Sequence, residues 1–508
     1  MAIIKTATTS TSNEPLRSER IAGGILPKVL NSFDLIVVYI AIILWVPSAG
    51  VVTGAGAAAF IYWGLGFITF LIPGAIVTGQ LGLMFPGEGS IYVWTTKALG
   101  NFMGFLAGFC AWWPGVLGMI AAGDVIVSLI QQIGEVFGIR LLSASGVQGM
   151  VIIAILVLSY ILSIQRFRSV QNLINMILGL YLGSILLVGL AGLFWLMTGH
   201  AGNVDLSFHS SSWALNSSNF TFYGTVVIAL LGIEVPLNMG VEIRDMRSIK
   251  RYLLWGSIVI IISYLVATFG VMMAAPLTDQ GNPVAITEAI QKGFGPIGAW
   301  MAVLADLIFI GFFIVTATVF NYSYGRLLFV AGLDRRLPAI ISKVSKNKIP
   351  WVAVLTQTII AIAFTAIIFV LAPLSLKSAD LSALLYDILL AAMTVIWCIS
   401  MVILFCDVLI VRRKYAEVFA HRRIASDWVF YVCVVLGTIG SIVGIYVIFT
   451  APWTNSAGAS PLTTAQWDIW ILAIVIISLV VAIVGFAIGR ATIKNDLSDE
   501  RIIEEVTG

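Results

Sequence analysis

Val226–Ser248 reads VVIALLGIEVPLNMGVEIRDMRS. It begins as an apolar, membrane-like helix and ends as a charged loop. Within five residues of the apolar part stand Gly232, Glu234 and Pro236. The proline withdraws a backbone donor and the glycine lets the chain turn. A carboxylate inside such a segment is costly and faces a bundle interior or a watery cavity. The combination predicts a helix that breaks where its freed backbone groups are covered by protein or line a cavity, and not where they meet lipid.

The rest of the chain fits a membrane. Its 508 residues are 60% hydrophobic and 10% charged, with a mean hydropathy of +1.03. A soluble domain carries about a quarter charged residues. Twelve apolar runs of spanning length lie near 33–56, 58–84, 101–133, 148–164, 169–198, 220–241, 252–275, 296–325, 351–372, 383–411, 428–450 and 468–489. The fold class is therefore all-α and polytopic. The polar start has no signal-peptide core, and residues 1–30 read as a mobile cytosolic tail.

With both ends on one side, all but three of the 28 lysines and arginines share that side; the exceptions are Arg140, Lys292 and Lys377. Basic loops stay cytoplasmic, so both termini are expected inside a plasma membrane. Short basic loops tied to spans do not read as a nucleic-acid surface. Cys110, Cys398, Cys406 and Cys433 fall in apolar runs, and no HxxxH, CxxC or HExxH pattern occurs. No metal site, cofactor or disulfide set is expected.

A second break signal, ILWVPSAG (Ile43–Gly50), lies in the first span. Spans 1 and 6 would each open a set of five, so 31–200 and 201–415 are expected as inverted repeats. Two added helices follow in 416–490, then a tail over 491–508. Paired broken helices at corresponding places point to a transporter site. Half-helix N-termini suit an anion and half-helix C-termini a cation, which together suit a zwitterion. Glu234 is expected to accept hydrogen bonds near the first break, tying the two broken helices, or to carry a proton.

Four stretches, in order, resemble the amino acid–polyamine–organocation (APC) superfamily. They are FPGEGSIYVWTTKALG (Phe85–Gly100), LLGIE with GVEIRDMRSIKRY, NYSYGRLLFVAGLDRRLP (Asn321–Pro338) and KIPWVAVLTQ (Lys348–Gln357). The resemblance implies a five-plus-five, LeuT-like core with discontinuous helices 1 and 6. It implies a substrate carboxylate on backbone N–H groups around Leu44, Trp45, Val46, Pro47 and Ser48. The amine would sit near Ile228, Ala229, Leu231 and Gly232. Trp112, Pro114 and Gly115 in span 3, Thr316 in span 8 and Trp397 in span 10 are looser wall and gate candidates. The glycine-rich signature usual in the first break is missing; ILWVP stands in its place, nearer to glutamate/GABA antiporters.

Asp124 and Asp306 lie inside spans 3 and 8, where a cationic substrate would need carboxylates or where they pair within the bundle. Asp387 lies inside span 10. Thr316, Thr318 and Asn321 offer oxygens at helical spacing for sodium, a weaker expectation than protons because such hydroxyls usually bond their own backbone. The leading expectation is a secondary transporter of amino acids or related amines, an exchanger or proton symporter, with a small-molecule substrate and no required partner chain. A polyamine carrier is the alternative. A channel would need rings of polar groups around a continuous pore. An enzyme would need a catalytic set and direct ATP drive a Walker A loop; neither occurs.

Overall fold

The computed structural model describes residues 15–217, 219–376, 380–450, 452, 462–492, 503–504 and 506. No strand occurs among them. Two isolated bridges, Leu30–Ile243 and Glu88–Met239, are the β pairing among the described residues.

Among the described residues, ten helices are long and apolar enough to cross a membrane. They are Ala58–Met84, Asn101–Val136, Ser145–Ser163, Arg168–Met197, Arg247–Ala274, Gly295–Leu333, Trp351–Leu374, Leu384–Lys414, Asp427–Ile448 and Thr464–Arg490. Their outward faces carry large exposed apolar side chains such as Trp255, Ile262, Trp300, Trp470 and Ile477. Water would not tolerate so continuous a surface; lipid does.

The first expected span, Ser32–Ile43 with Pro47–Ala55, is bent by 43° at its break. The sixth is more disrupted. A nine-residue helix, Thr221–Ala229, gives way to 3₁₀ turns at Val235–Asn238 and Gly240–Glu242. These two segments run side by side from end to end. A Cβ on Gly54 would meet Phe222 at 2.6 Å, and at the opposite end Leu30 bridges Ile243. Short π-helical turns at Phe67–Leu71 and Ala366–Leu371 absorb the bonds lost at Pro73 and Pro373.

The basic loops gather at one end of the bundle. There Arg326 pairs with Glu242 and Glu88, Arg168 with Asp34, and Lys97 with Glu19. Part of the expected loose N-terminal tail is packed at this end. Arg17–Ile25 forms a helix whose Ile21, Ala22 and Ile25 are buried, while Gly23 and Gly24 face outward. Its Ser18 donates from both backbone N and Oγ to Asp334 (2.7 and 3.0 Å). At the opposite end, the connection between the Arg247–Ala274 and Gly295–Leu333 helices contains the helix Ala285–Gly293. The expected tail 491–508 lies almost wholly outside the described residues.

Candidate functional site

Pro47 opens the second half of the first span, and the chain between Ile43 and Pro47 leaves helical geometry. Two tyrosine hydroxyls from other spans take up the freed groups. Tyr181 donates to the Leu44 carbonyl (2.8 Å) and accepts from the Val46 N–H (3.2 Å). Tyr264 donates to the Ile43 carbonyl (2.6 Å) and accepts from the Trp45 N–H (3.0 Å). The remaining donors close on the chain itself, Ser48 N–H on Trp45 O and Ala49 N–H on Val46 O. Tyr181 stacks on Phe312 and Tyr264 on Trp63, which fixes both hydroxyls.

At the second break Gly232 has φ +105°, and a Cβ there would lie 2.5 Å from Ile42 and 3.2 Å from Trp397. Glycine is required on both counts. The helix ends at Ala229, and the carbonyls of Leu230 and Leu231 meet no donor among the described residues. Ala229 O lies 3.2 Å from the same Tyr264 hydroxyl that serves the first break. Tyr264 therefore ties the broken helices, a role the sequence suggested for Glu234. Glu234 instead accepts from Trp397 Nε1 (3.2 Å), and its Oε2 has no hydrogen-bond partner among the described residues. Tyr39, Tyr252 and Tyr324 lie within electrostatic reach of it.

A cavity of about 550 Å³ rises from these breaks. Trp45, Pro47, Ser48, Ile228, Ala229, Leu231, Trp397 and Asp124 all line it, joined by residues not singled out from sequence, including Phe222, Phe320, Tyr386 and Met393. Its upper walls are Gln131, Gln148 and the loop residues Gly281–Val284, at the end opposite the basic loops. Trp45 is half-buried and meets Phe313 edge-on at 4.9 Å.

Other expected residues lie elsewhere. Leu44, Val46 and Gly232 shape the breaks but do not line the cavity. Trp112 donates to Gln357 (2.9 Å), and Gly115 packs under Tyr324, with Pro114 buried beside it. Thr318 bonds its own backbone at Ile314 O, and Thr316 is buried away from the cavity. The Thr316 hydroxyl meets no hydrogen-bond partner among the described residues. Asp306 is not a wall residue either; it is fully buried and faces Thr287 and Glu288 of the Ala285–Gly293 helix.

Below the breaks the basic end is shut. Arg326, at most 1% exposed, reaches Glu242 at 2.7 Å and Glu88 at 3.3 Å. The Val241 N–H bonds Glu88 Oε2, and Ser90 Oγ bonds Asn238. Glu88 belongs to the loop after the Ala58–Met84 helix. Burial and the neighbouring Glu242 carboxylate hold its carboxyl well above the ordinary range, against the opposing pull of Arg326. Tyr92 and Ser18 converge on Asp334 and close the remaining edge.

The comparisons with known proteins agree with this geometry. Residues 30–480 match the family described as "Amino acid permease". A probable agmatine/putrescine antiporter of Lactococcus lactis is 26% identical over 356 residues, covering 69% of this chain and 73% of that protein. A polyamine transporter of Arabidopsis thaliana is 25% identical over 374 residues (69% and 66%). A probable GABA permease of Pseudomonas aeruginosa is 23% identical over 346 residues (63% and 68%). Two broken helices, a cavity over them and a match along most of the chain lead to one assignment: this protein belongs to the amino acid permease family of the APC superfamily and is a secondary transporter of amino acids or amines.

Proposed function

We propose that the chain works by alternating access, exchanging amine or amino-acid substrates or coupling their movement to protons. What carries this reading is the asymmetry of the cavity. It reaches from the two breaks toward one end, while buried ion pairs shut the other. A solute held at the breaks has one exit in this conformation, and closing the upper walls while opening the seal would give it the other.

On this reading the first and sixth segments each count as a crossing, giving twelve in all. They form halves 31–200 and 201–415 of inverted topology, followed by two added helices. On this reading the protein sits in the cell membrane, and the lysine and arginine distribution supports a cytoplasmic position for the basic end and both termini. The chain moves solute and makes no covalent change to it. Glu234 carries the coupling proton. It is buried at the break, its Oε2 has no partner among the described residues, and its Trp397 contact links it to the cavity wall.

Counterflow in liposomes tests this. Vesicles holding purified protein are loaded with one unlabelled amine or amino acid, and entry of a labelled trace is followed with and without a pH gradient. The expected result is transient accumulation driven by a particular internal solute. Glu234→Gln should keep that exchange and lose the response to the pH gradient. Absence of counterflow with every amine and amino acid tried sinks the carrier reading. A Glu234→Gln protein still driven by the gradient removes the proton from Glu234.

A further inference from the structure

The seal at the basic end has two sides. Glu88, Ser90 and Arg326 stand on one, and Asn238, Val241 and Glu242 of the sixth segment on the other. The N-terminal stretch grips both. Val29 and Leu30 donate their N–H groups to the Glu242 carbonyl (2.9 Å each), and Leu30 O accepts from the Arg244 N–H (3.0 Å). Farther back along the chain, Ser18 donates twice to Asp334, just past the Gly295–Leu333 helix, and Glu19 pairs with Lys97 of the Ser90–Leu99 helix at 2.8 Å. A Cβ on Gly87, next to Glu88, would meet the Glu19 side chain at 3.4 Å. The Arg17–Ile25 helix thus lies across the same divide that the Arg326 pairs close.

The two grips cannot both survive opening. Val29 and Leu30 lead directly into the Ser32–Ile43 half of the first span and are paired with the sixth segment, so they follow those segments. The link Leu26–Val29 is short, is extended at Leu26 and contains Pro27, so it holds little slack. The grip that yields is therefore the one on Asp334 and Lys97. The helix is suited to letting go. Its nine residues are fewer than the roughly 12–15 that an isolated helix needs in water, and Gly23 and Gly24 lower its helix propensity further. Its buried apolar face is only Ile21, Ala22 and Ile25, with Leu26 beyond its end. Its polar contacts are ones that water takes over once the helix lifts. Docked, it is held by its partners; released, it melts and gains chain entropy.

We infer that the Arg17–Ile25 helix is a latch on the seal: docked on Asp334 it holds the basic end shut, and it leaves Asp334 before that end opens. Arg326 closes the passage from within, and the latch ties the two walls together from the N-terminal side. This inference rests on the alternating-access reading above and adds a step to it.

A pair of cysteines in the full chain tests the latch. Ser18→Cys with Asp334→Cys places thiols where the Ser18 hydroxyl meets the Asp334 carboxylate at 3.0 Å. Counterflow of labelled putrescine and, in parallel, labelled 4-aminobutyrate is followed in liposomes. Oxidation should join the pair and slow whichever exchange the reduced protein performs by at least about tenfold. Dithiothreitol should restore the rate, and Ser18→Cys alone should not respond to oxidation. Ala22→Cys is a second reporter, at a side chain with no exposure in the docked helix. Its labelling by a maleimide in detergent, above that of the parent chain, should quicken at least about tenfold when Asp334→Ala removes the acceptor of Ser18. A pair shown by mass to be joined, yet exchanging as fast as when reduced, overturns the latch and leaves the carrier standing. A pair that does not join, or an Ala22→Cys thiol labelled equally fast with and without Asp334, overturns the docking and the latch with it. A reduced protein that exchanges neither probe nor any amino acid sinks the carrier reading as well.

Discussion

The two ends of this bundle handle charge in opposite ways. At the basic end the acidic groups are spent on one another's neighbours: Glu242 and Glu88 on Arg326, Asp34 on Arg168, Glu19 on Lys97. In the cavity above, Asp124 lines open space with no lysine, arginine or histidine among the described lining residues. The first arrangement closes a passage and the second lines an open one. Apolar packing alone would make a seal hard to reopen. A seal of buried ion pairs is different, because water entering it solvates the same groups that held it shut.

Removing the arginine should therefore break the contrast most severely. Arg326→Met leaves Glu88 and Glu242 buried without their cation, a loss of roughly 3–5 kcal/mol. The expected outcome is a large drop in thermal stability and rapid hydrogen exchange over residues 237–243, whose backbone bonds to the 88–89 and 29–30 segments. Adding Glu88→Gln and Glu242→Gln to that variant should recover most of the stability, since no unpaired charge is left. A single variant as stable as the wild type would show that the network does not hold the seal.

Glu88 sharpens the comparison through pH. Its carboxyl titrates above the ordinary range while buried beside Glu242 and Arg326. When water enters the seal it should return to the ordinary carboxylate value. The shut state thus binds the proton and the open state releases it. Acid favours the shut form, and opening becomes easier as pH rises from the ordinary carboxylate value to the raised one, by at most about 1.4 kcal/mol per pH unit. Exchange over 237–243, corrected for intrinsic rates, should rise with pH in the wild type and flatten in Glu88→Gln. A slope unchanged by the substitution would assign the proton elsewhere.

How much of this was legible in the sequence depends on where each requirement is written. Pro47, Gly232 and Pro236 announce their breaks because the constraint lies in the residue's own backbone. Glu234 and Asp124 announce themselves because a carboxylate in an apolar run needs a reason. That Asp124 and Asp387 share a cavity was hidden, since the meeting depends on which spans are neighbours. The Arg17–Ile25 helix was masked by its glycine pair and polar surroundings. Asp306 shows the opposite case, since of its two expected roles the structure favours pairing within the bundle. Its charge was conspicuous, but its direction around the helix, toward Ala285–Gly293 and not the cavity, could not be read from spacing alone. Tyr181 and Tyr264 gave no signal whatever. A tyrosine in a span is usually belt or packing, and their backbone partners lie 135 and 221 residues away.

Tyr264 gives the smallest expected effect and the most specific one. Its single hydroxyl proton faces two carbonyls, Ile43 O at 2.6 Å in the first break and Ala229 O at 3.2 Å in the second. One proton cannot serve both fully, so a shift at either break changes what the other receives. Tyr264→Phe keeps the ring stacked on Trp63 and removes only this shared bond, worth about 0.5–1.5 kcal/mol. Thermal stability should fall by no more than that, and the exchange rate should fall roughly two- to tenfold, by the same energy. Tyr181→Phe is the matched control, because the Tyr181 hydroxyl serves the first break alone. If the shared proton couples the broken helices, the two variants should lose similar stability, and the Tyr264 variant should lose more exchange. Equal losses of exchange would mean that each tyrosine merely props its own break and that the helices move independently.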